Sequence, residues 1–253
     1  QPDAVIIAAA KVGGILANDN YPVDFLSQNL QIQTNLIDGS HEAQIKSLVF
    51  LGSSCIYPRL AEQPISESSL LTGKLESTNE PYAIAKIAGL KLIEAYRKQY
   101  GYDWTSLMPT NLYGPGDNYD TEGSHVIPGM IAKMCEAKKT GKDSVTLWGT
   151  GSPLREFLHV DDLASAVLFA LEEYRGETPL NVGSGEEVSI KYLAEEVRAA
   201  VGFDGDIHWD TSKPDGTPRK LLDSSKLAKL GWKPTLDLRA GLAKTVKDLP
   251  FYC

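Results

Sequence analysis

The sequence has few cysteines, a shortage of positive charge and no long apolar run, and each shortage excludes a class of protein. Its three cysteines, Cys55, Cys135 and Cys253, are odd in number and widely spaced, so they predict neither a disulfide framework nor a CxxC metal site. They favour a reducing compartment, and we expect a cytoplasmic protein with no bound metal. No apolar run reaches the length of a membrane span. The net charge of -8 argues against nucleic acid or an anionic membrane as the main partner.

Short apolar runs alternate with amphipathic stretches in a chain of 253 residues, whose 42% apolar and 23% charged content is typical of globular proteins. The apolar runs predict strands at residues 4–10, 47–53, 104–109, 145–148, 180–182 and 207–209. The amphipathic stretches predict helices at residues 24–46, 79–100, 126–139, 160–174, 190–201 and 238–248. In the helix at 79–100, Asn79 is a predicted cap, Pro81 suits the first turn and Gly101 ends the helix.

Alternating strands and helices predict a Rossmann-like, doubly wound α/β fold. The first three strands are apolar throughout, as expected of a parallel sheet that is covered on both faces. After residue 117 the alternation becomes irregular and the strands shorten, which predicts a smaller α+β region. We therefore expect a sheet domain at residues 1–117 and 158–183, and a substrate-binding domain at residues 118–157 and 184–253.

Three strand ends carry unusual loops, at residues 11–14, 53–55 and 109–114. Ligands of such sheets bind at the carboxyl ends of the strands, so we expect these loops to meet at one crevice. A hydroxyl in the run Gly52-Ser53-Ser54 can hydrogen-bond a substrate carbonyl there. The alternative is an ordinary turn or helix cap, which serine often forms at a strand end.

The run Tyr82-Ala-Ile-Ala-Lys86 places a tyrosine and a lysine one turn apart on the same helix face. A nearby ammonium favours the phenolate, so we expect Lys86 to lower the pKa of Tyr82 and to make Tyr82 a proton donor near neutral pH. A packed tyrosine beside a solvated lysine is the alternative, because YxxxK also occurs by chance. The order of the GSS run, YxxxK and then PTNLYGP is far more specific than any one of the pieces.

In this order the motifs resemble the extended short-chain dehydrogenase/reductase family. More narrowly, the chain resembles the members that epimerise and reduce GDP-4-keto-6-deoxy-D-mannose, through the runs GSSCIYP, NEPYAIAK, PTNLYGPGDN, SHVIPGMI, LWGTGSPLREFLHVDD and SKPDGTPRKLLD. The resemblance extends from the first strand to about residue 222. It implies a catalytic triad of Ser53, Tyr82 and Lys86. In that triad Tyr82 protonates the C4 oxygen, Ser53 binds it, and Lys86 bonds the nicotinamide ribose while NADPH reduces C4.

Epimerisation at C3 and C5 needs a base and an acid on opposite faces of the sugar, and the resemblance assigns these roles to Cys55 and His125. A thiol suits the base if its pKa falls, since the thiolate is the reactive form. A histidine titrates near neutrality and suits the acid. Inert packing of the cysteine and an ordinary polar loop histidine are the alternatives. A plain 4-reductase or 4-epimerase of the same fold needs no such pair, so these two residues distinguish the possible activities.

The resemblance also implies two binding sites. The NADPH site comprises Ser53, Ser54, Tyr82, Lys86, Pro109, Thr110, Asn111, Leu112 and His125. The GDP-sugar site comprises Lys133, Trp148, Arg155, Asp215, Arg219 and Lys220. Arg155 and Lys220 can neutralise a pyrophosphate, and Trp148 offers an apolar face to a sugar or a base. Surface charges and a core aromatic ring are the alternatives, and the family often has arginine in place of Lys133.

A glycine-rich turn is absent from the sequence. No stretch reads GxxGxxG between a strand and a helix, where such a turn binds the cofactor pyrophosphate. The resemblance places the family's opening βαβ portion, on the order of 50 residues, before Gln1. We therefore expect weak NADPH binding and low stability for the chain as given. A non-catalytic scaffold is a further alternative, which the full set of catalytic residues disfavours. The resemblance also implies a homodimer through the helices at 24–46 and 79–100.

Overall fold

Strands and helices follow one another along the computed structural model, which describes residues 2–120, 124–213, 215–249 and 253. Its strands are β1 (Ala4–Ile7), β2 (Ser47–Leu51), β3 (Asp103–Pro109), β4 (Asn111–Tyr113), β5 (Ser144–Trp148), β6 (Leu154–His159), β7 (Leu180–Val182), β8 (Glu187–Ser189), β9 (Asp206–Asp210) and β10 (Arg219–Lys220). Its helices are α1 (Ile15–Asn20), α2 (Pro22–Glu42), α3 (Glu80–Tyr100), α4 (Val126–Thr140), α5 (Val160–Glu173), α6 (Ile190–Val201), α7 (Ser225–Leu230) and α8 (Leu238–Lys247). Each predicted strand and helix is present, with ends shifted by a few residues.

Four strands form the predicted parallel sheet, in the order β1-β2-β3-β7. The packing of β2 explains why its sequence is apolar throughout. Leu48 and Phe50 pack with residues of α2 and α3, whereas Val49 packs with residues of α5. Successive side chains of a strand point to opposite faces, so only a sheet covered on both sides buries all three. The Rossmann-like fold is confirmed.

Helix α3 carries the YxxxK run and packs closely on the sheet. Pro81 lies in its first turn, and Gly101 ends it in the left-handed conformation with a φ of 72°, as predicted. Gly89 permits the close packing, since a Cβ there would lie 2.6 Å from the Phe50 ring. The predicted cap is wrong, because the Asn79 side chain makes no capping hydrogen bond. That side chain is hydrogen-bonded to Cys55 instead.

The second region is built on two smaller sheets. Strand β6 pairs in parallel with β4 and β10 and antiparallel with β8, and β5 pairs in parallel with β9. An apolar core that includes Ile131 of α4, Val197 of α6 and Leu242 of α8 fills this region. The predicted domain boundary at residues 157 and 158 falls inside β6. This strand continues across it because it pairs both with β4, which follows the main sheet, and with β8 and β10.

A disulfide joins Cys135 of α4 to Cys253, a pair that the prediction of no disulfide framework did not anticipate. The separation of 118 residues in sequence conceals the proximity of the two thiols. Helix α6 packs against both α4 and α8, and this arrangement brings the end of the chain beside α4. Cys55 carries a free thiol. Within the described ranges, every helix is too short or too polar to cross a bilayer.

Candidate active site

The turn after β2 places two of the predicted catalytic residues side by side. Ser53 precedes a short 3-10 turn, Ser54–Ile56, and its hydroxyl accepts a hydrogen bond from the Cys55 N–H at 3.2 Å. The chain passes close to β3 here because Gly52 has no Cβ, which would collide with the Met108 side chain. Ser53 therefore caps the turn, which is the alternative to substrate binding that serine at a strand end offers. Its hydroxyl is also hydrogen-bonded to the phenol of Tyr82, so the two readings are compatible.

Lys86 lies one turn beyond Tyr82 on α3 and is almost fully buried. It is 3% exposed, and its ammonium donates a hydrogen bond to the Leu51 carbonyl at 2.8 Å. The ammonium lies 4.8 Å from the centre of the Phe50 ring and 6.0 Å from the centre of the Tyr82 ring. Burial lowers the pKa of Lys86 to about 8, because a charged ammonium is poorly solvated there.

The expectation that Lys86 lowers the pKa of Tyr82 is wrong for this structure. Burial raises the pKa of Tyr82, the negative charge of Cys55 adds to the rise, and the hydrogen bond with Ser53 opposes it. The Lys86 ammonium bonds to Leu51 and does not offset the rise. The result still suits a general acid, since Tyr82 keeps its proton at neutral pH until the reaction withdraws it.

Cys55 has a cation beside it that the sequence assigned to another role. The Lys220 ammonium of β10 donates to the Cys55 sulfur at 3.5 Å. Burial disfavours the thiolate, but the charge of Lys220 and hydrogen bonds from Ser53, Lys220 and Asn79 outweigh that effect and lower the pKa of the thiol. Sequence reasoning connected neither Lys220 nor Asn79 with Cys55. The position of Asn79 just before the YxxxK run could have indicated that it lies near the site. Lys220 offers no such indication, because it lies 165 residues from Cys55 in the sequence.

His125 lies apart from this cluster. It immediately precedes α4, its side chain is 48% exposed, and its Nδ1 lies 3.9 Å from a carboxylate oxygen of Asp117. Within the described part of the chain, the hydrogen bonds and ion pairs do not join His125 to Cys55 or Tyr82. The roles predicted for His125, as an acid and in the cofactor site, therefore stay predictions.

Three of the predicted GDP-sugar residues lie together near Cys55. Arg155 is opposite Lys220 in the pairing of β6 with β10. Burial lowers the pKa of Arg155, and the negative charges of Asp215 and Cys55 oppose that change, which places both groups within electrostatic reach of Arg155. Asp215 also accepts hydrogen bonds from the N–H and the hydroxyl of Thr150, at 2.7 and 2.8 Å. Asp215 thereby fixes the loop that follows β5.

The other predicted GDP-sugar residues are more exposed. The ammonium groups of Lys133 and Lys213 lie 5.3 and 5.6 Å from the ring centre of Trp148, which is 46% exposed. A flat apolar ring next to two cations suits a planar, negatively charged ligand such as a nucleotide. Arg219 instead pairs with Glu187, with Nε and a terminal nitrogen bonded to the carboxylate at 2.8 and 2.6 Å. Neighbouring residues on a strand point to opposite faces, so Lys220 near Cys55 directs Arg219 away.

The predicted cofactor residues that come from strand ends and loops lie at or after the carboxyl ends of β2 and β3, whereas Tyr82 and Lys86 lie on α3 and His125 precedes α4. Pro109 ends β3, Leu112 lies in β4, and the N–H of Thr110 donates to the Val182 carbonyl at 3.0 Å. The Asn111 amide donates to the Glu156 carbonyl at 2.8 Å.

The loop at residues 11–14 approaches the same place. Asn29 of α2 holds Lys11 by two hydrogen bonds to its backbone, at 2.9 and 3.0 Å. Phe25 packs against Tyr82 with ring centres 6.4 Å apart, and a Cβ on Gly13 would lie 3.1 Å from the Phe25 ring. The three loops therefore meet at one edge of the sheet, as predicted.

One cavity among the described residues lies in a different place. It has a volume of about 980 Å³ and is lined by residues between Pro58 and Ser77 and by Asp223. None of the five predicted catalytic residues lines it. The chemistry of the side chains at the strand ends therefore identifies the candidate active site.

Comparison with known proteins agrees with this geometry. Residues 1–183 match the NAD dependent epimerase/dehydratase family. This chain belongs to that family. It is 61% identical to GDP-L-fucose synthase 1 of Arabidopsis thaliana, over 97% of this chain and 76% of the relative. It is 52% identical to GDP-L-fucose synthase of Escherichia coli (strain K12), over 96% of this chain and 78% of the relative.

A solved structure supports the same fold. GDP-mannoheptose C4 reductase from Campylobacter jejuni with NADP bound matches with a TM-score of 0.88 and 35% identity, over 98% of this chain and 81% of that chain. In this epimerase/dehydratase family member, the residues present fit a nicotinamide cofactor. The Lys86 ammonium has three N–H donors and gives one to Leu51, which leaves donors for ribose hydroxyls. The hydroxyls of Ser53 and Tyr82 are hydrogen-bonded to each other, and the Tyr82 ring centre lies 6.0 Å from the same ammonium.

Proposed function

We propose that this chain catalyses the NADPH-dependent conversion of GDP-4-keto-6-deoxy-D-mannose to GDP-L-fucose, by 3,5-epimerisation and then 4-keto reduction. The observation that carries the proposal is the Cys55 thiol beside the paired hydroxyls of Ser53 and Tyr82, which puts a base for carbon acids next to a site for a ketone oxygen. The names of the relatives at 61% and 52% identity support the same reaction.

Reduction requires the C4 oxygen to gain a proton as C4 gains a hydride, which a nicotinamide supplies when bound. Ser53 and Tyr82 hydrogen-bond the C4 oxygen of the sugar. Tyr82, which burial keeps protonated, transfers its phenolic proton to that oxygen. Lys86 binds the ribose hydroxyls with the donors that Leu51 does not use.

Epimerisation requires a proton to leave C3 or C5 and another to return on the opposite face. The Cys55 thiolate accepts the departing proton, and the electrons of the broken C–H bond shift to the C4 oxygen as an enolate. Ser53 and Tyr82 stabilise this oxyanion by hydrogen bonds. His125 then protonates the carbon from the other face. Protonation from the other face requires that the bound sugar lie between His125 and Cys55.

Four finer statements belong to the same proposal. The cofactor is NADPH, as the NADP in the Campylobacter jejuni structure supports. The active form is a homodimer through α2 and α3, and the reaction takes place in the cytoplasm. The GDP portion of the substrate binds near Arg155 and near the Trp148 ring, whose centre lies 5.3 Å from the Lys133 ammonium.

Deuterium exchange separates the two proposed activities. The chain is incubated with GDP-4-keto-6-deoxy-D-mannose in D2O, deuterium at C3 and C5 is followed by NMR, and NADPH consumption is measured in parallel. Cys55→Ser is expected to slow deuterium incorporation by about 10²-fold or more, since it removes the base. NADPH consumption is expected to slow much less, because the C4 ketone is present before epimerisation and Tyr82 can still protonate its oxygen. Cys135→Ser changes a cysteine outside the site and is expected to leave both rates close to wild type.

Other outcomes point to other functions. Equal loss of both rates in Cys55→Ser contradicts a separate epimerase base and favours a plain 4-reductase, the activity named for the Campylobacter jejuni protein. If the folded wild type shows no deuterium exchange and no NADPH consumption, that result contradicts both enzymatic functions and favours a scaffold.

A further inference from the structure

Lys220 is held firmly although its strand is only two residues long. On the strand itself, pairing with β6 places Lys220 opposite Arg155. The next two backbone N–H groups are fixed by side chains from elsewhere in the fold. The Leu221 N–H donates to the Gln63 side chain at 2.8 Å, and the Leu222 N–H donates to the buried Glu156 carboxylate at 3.1 Å. The backbone therefore holds Lys220 in one register.

The Lys220 ammonium is directed at the Cys55 sulfur, 3.5 Å away. Within the described residues, no carboxylate forms an ion pair with Lys220, in contrast to Arg219, which pairs with Glu187. The charge of an ammonium without a carboxylate partner is not neutralised, so it stabilises a neighbouring thiolate more strongly. The interaction of two charges grows as they approach and leave water.

The other groups around the sulfur contribute less positive charge. Ser53 and Asn79 are uncharged hydrogen-bond partners. Tyr82 of α3 faces the thiol, and its raised pKa keeps it neutral near pH 7. Arg155 of β6 also interacts electrostatically with Cys55, but the negative charge of Asp215 near Arg155 offsets the positive charge of the guanidinium. Lys220 is therefore the principal charge that favours the thiolate.

We propose that Lys220 is a positioning residue for epimerisation, which holds Cys55 as the thiolate before the sugar binds. Its sequence-based assignment was to the pyrophosphate, whereas its position in β10 makes it the partner of the base. The role in turnover rests on the proposed function. The pairing of Lys220 with the thiolate does not, and it is testable without a sugar.

The test measures the alkylation of Cys55 by iodoacetamide as a function of pH, in the full chain without sugar, with the Cys55 peptide quantified by mass spectrometry. Lys220→Met is expected to move the midpoint to higher pH and to reduce the thiolate fraction at neutral pH about tenfold for each unit of that move. Lys220→Arg keeps the charge and is expected to stay near wild type. Lys229→Met removes an exposed lysine of α7 and is the matched control, with no expected shift.

Deuterium exchange at C3 and C5 gives a second readout. Exchange by Lys220→Met is expected to be slow at neutral pH and to approach the wild-type rate at higher pH. A role confined to the pyrophosphate would instead raise KM without moving the pH profile, and that result overturns the inference.

The remaining outcomes also decide the matter. An unchanged alkylation midpoint in folded Lys220→Met, or in Lys220→Gln if the first variant does not fold, overturns the inference. An equal shift in Lys229→Met overturns it as well, because the effect would then be one of net charge. A shifted midpoint with no exchange by the wild type supports the pairing and contradicts the proposed function instead.

Discussion

The residues predicted for function divide into two groups that are held in different ways. The inner group lies at the strand ends and comprises Ser53, Cys55, Tyr82, Lys86 and Lys220. The outer group lies in the second region and comprises His125, Lys133, Trp148 and Arg219. Members of the inner group are partly or fully buried and contact one another or the strand backbone. Members of the outer group are more exposed and contact their local surroundings.

This difference indicates which part of the site is organised before a ligand binds. In the inner group, β2, α3 and β10 fix the atoms that move protons, and fixed dipoles and charges are what lower a reaction barrier. In the outer group, side chains bind to neighbours such as Asp117 and Glu187 that a ligand can replace. We therefore expect substitutions in the inner group to change rates, and substitutions in the outer group to change mainly affinity.

The largest effect is expected at Tyr82, the proton donor of the inner group. Tyr82→Phe is expected to slow NADPH consumption by about 10² to 10⁴-fold, because the C4 oxygen loses its general acid. Deuterium exchange at C3 and C5 is expected to fall less, since Cys55 and the hydroxyl of Ser53 are retained. The matched control is Tyr96→Phe, which removes a hydroxyl from the same helix where it bonds to Asp38. A rate for Tyr82→Phe within tenfold of that control would show that another group supplies the proton.

Four of the five members of the inner group could be identified from the sequence, because they lie in short, locally recognisable runs. Ser53 and Cys55 share one strand end, and Tyr82 and Lys86 share one helix face. The two partners of Cys55 were not connected with it for different reasons. Lys220 comes from a strand of two residues, 165 positions away, and its pairing with β6 has no local sequence pattern. Asn79 was interpreted as a helix cap, but its side chain turns to the thiol.

Short elements account for most of what the sequence did not predict in the fold. Strands β4, β8 and β10 have two or three residues each, too few for a periodic pattern to appear. The apolar positions of β6 are interrupted by Arg155 and Glu156, which hides a strand whose buried carboxylate is satisfied by backbone N–H groups. The direction of the pKa shift of Tyr82 also required the structure, because burial outweighs a lysine that bonds elsewhere.

A smaller effect is expected from the buried charge of Lys86. Its pKa is about 8 in the folded chain and 10.5 in the reference state, so the unfolded chain holds more protons between these values. The free energy of unfolding should therefore rise with pH in this window, by at most about 1.4 kcal/mol per pH unit, and be lower below pH 8. Lys86→Met lacks this dependence. Urea unfolding of wild type and of Lys86→Met at roughly pH 7.5 and pH 9.5, below and above the folded-state pKa of Lys86, measures how the free energy of unfolding of each changes with pH.

The comparison of the two lysine positions on α3 controls this experiment. Lys91→Met removes an exposed lysine of the same helix, which pairs with Glu94. Its unfolding free energy is expected to follow the wild type as pH rises, whereas that of Lys86→Met is expected to fall behind. Parallel pH curves for wild type and Lys86→Met would mean that the folded chain does not bury a charged lysine.

The smallest effect is expected at Arg219 of the outer group, and we compare it with Arg155, a predicted GDP-sugar residue that belongs to neither group but lies near the inner one. Arg155 is partly buried and lies within reach of Cys55 and Asp215, so Arg155→Gln is expected to raise KM for the GDP-sugar about tenfold or more. Arg219 is exposed and already bound to Glu187, so Arg219→Gln is expected to raise KM less than about fivefold. Steady-state kinetics on both variants measures the ratio. An equal rise in KM for the two variants would show that the GDP-sugar displaces Glu187 from Arg219. Arg219 would then contribute as much to binding the GDP-sugar as Arg155 does.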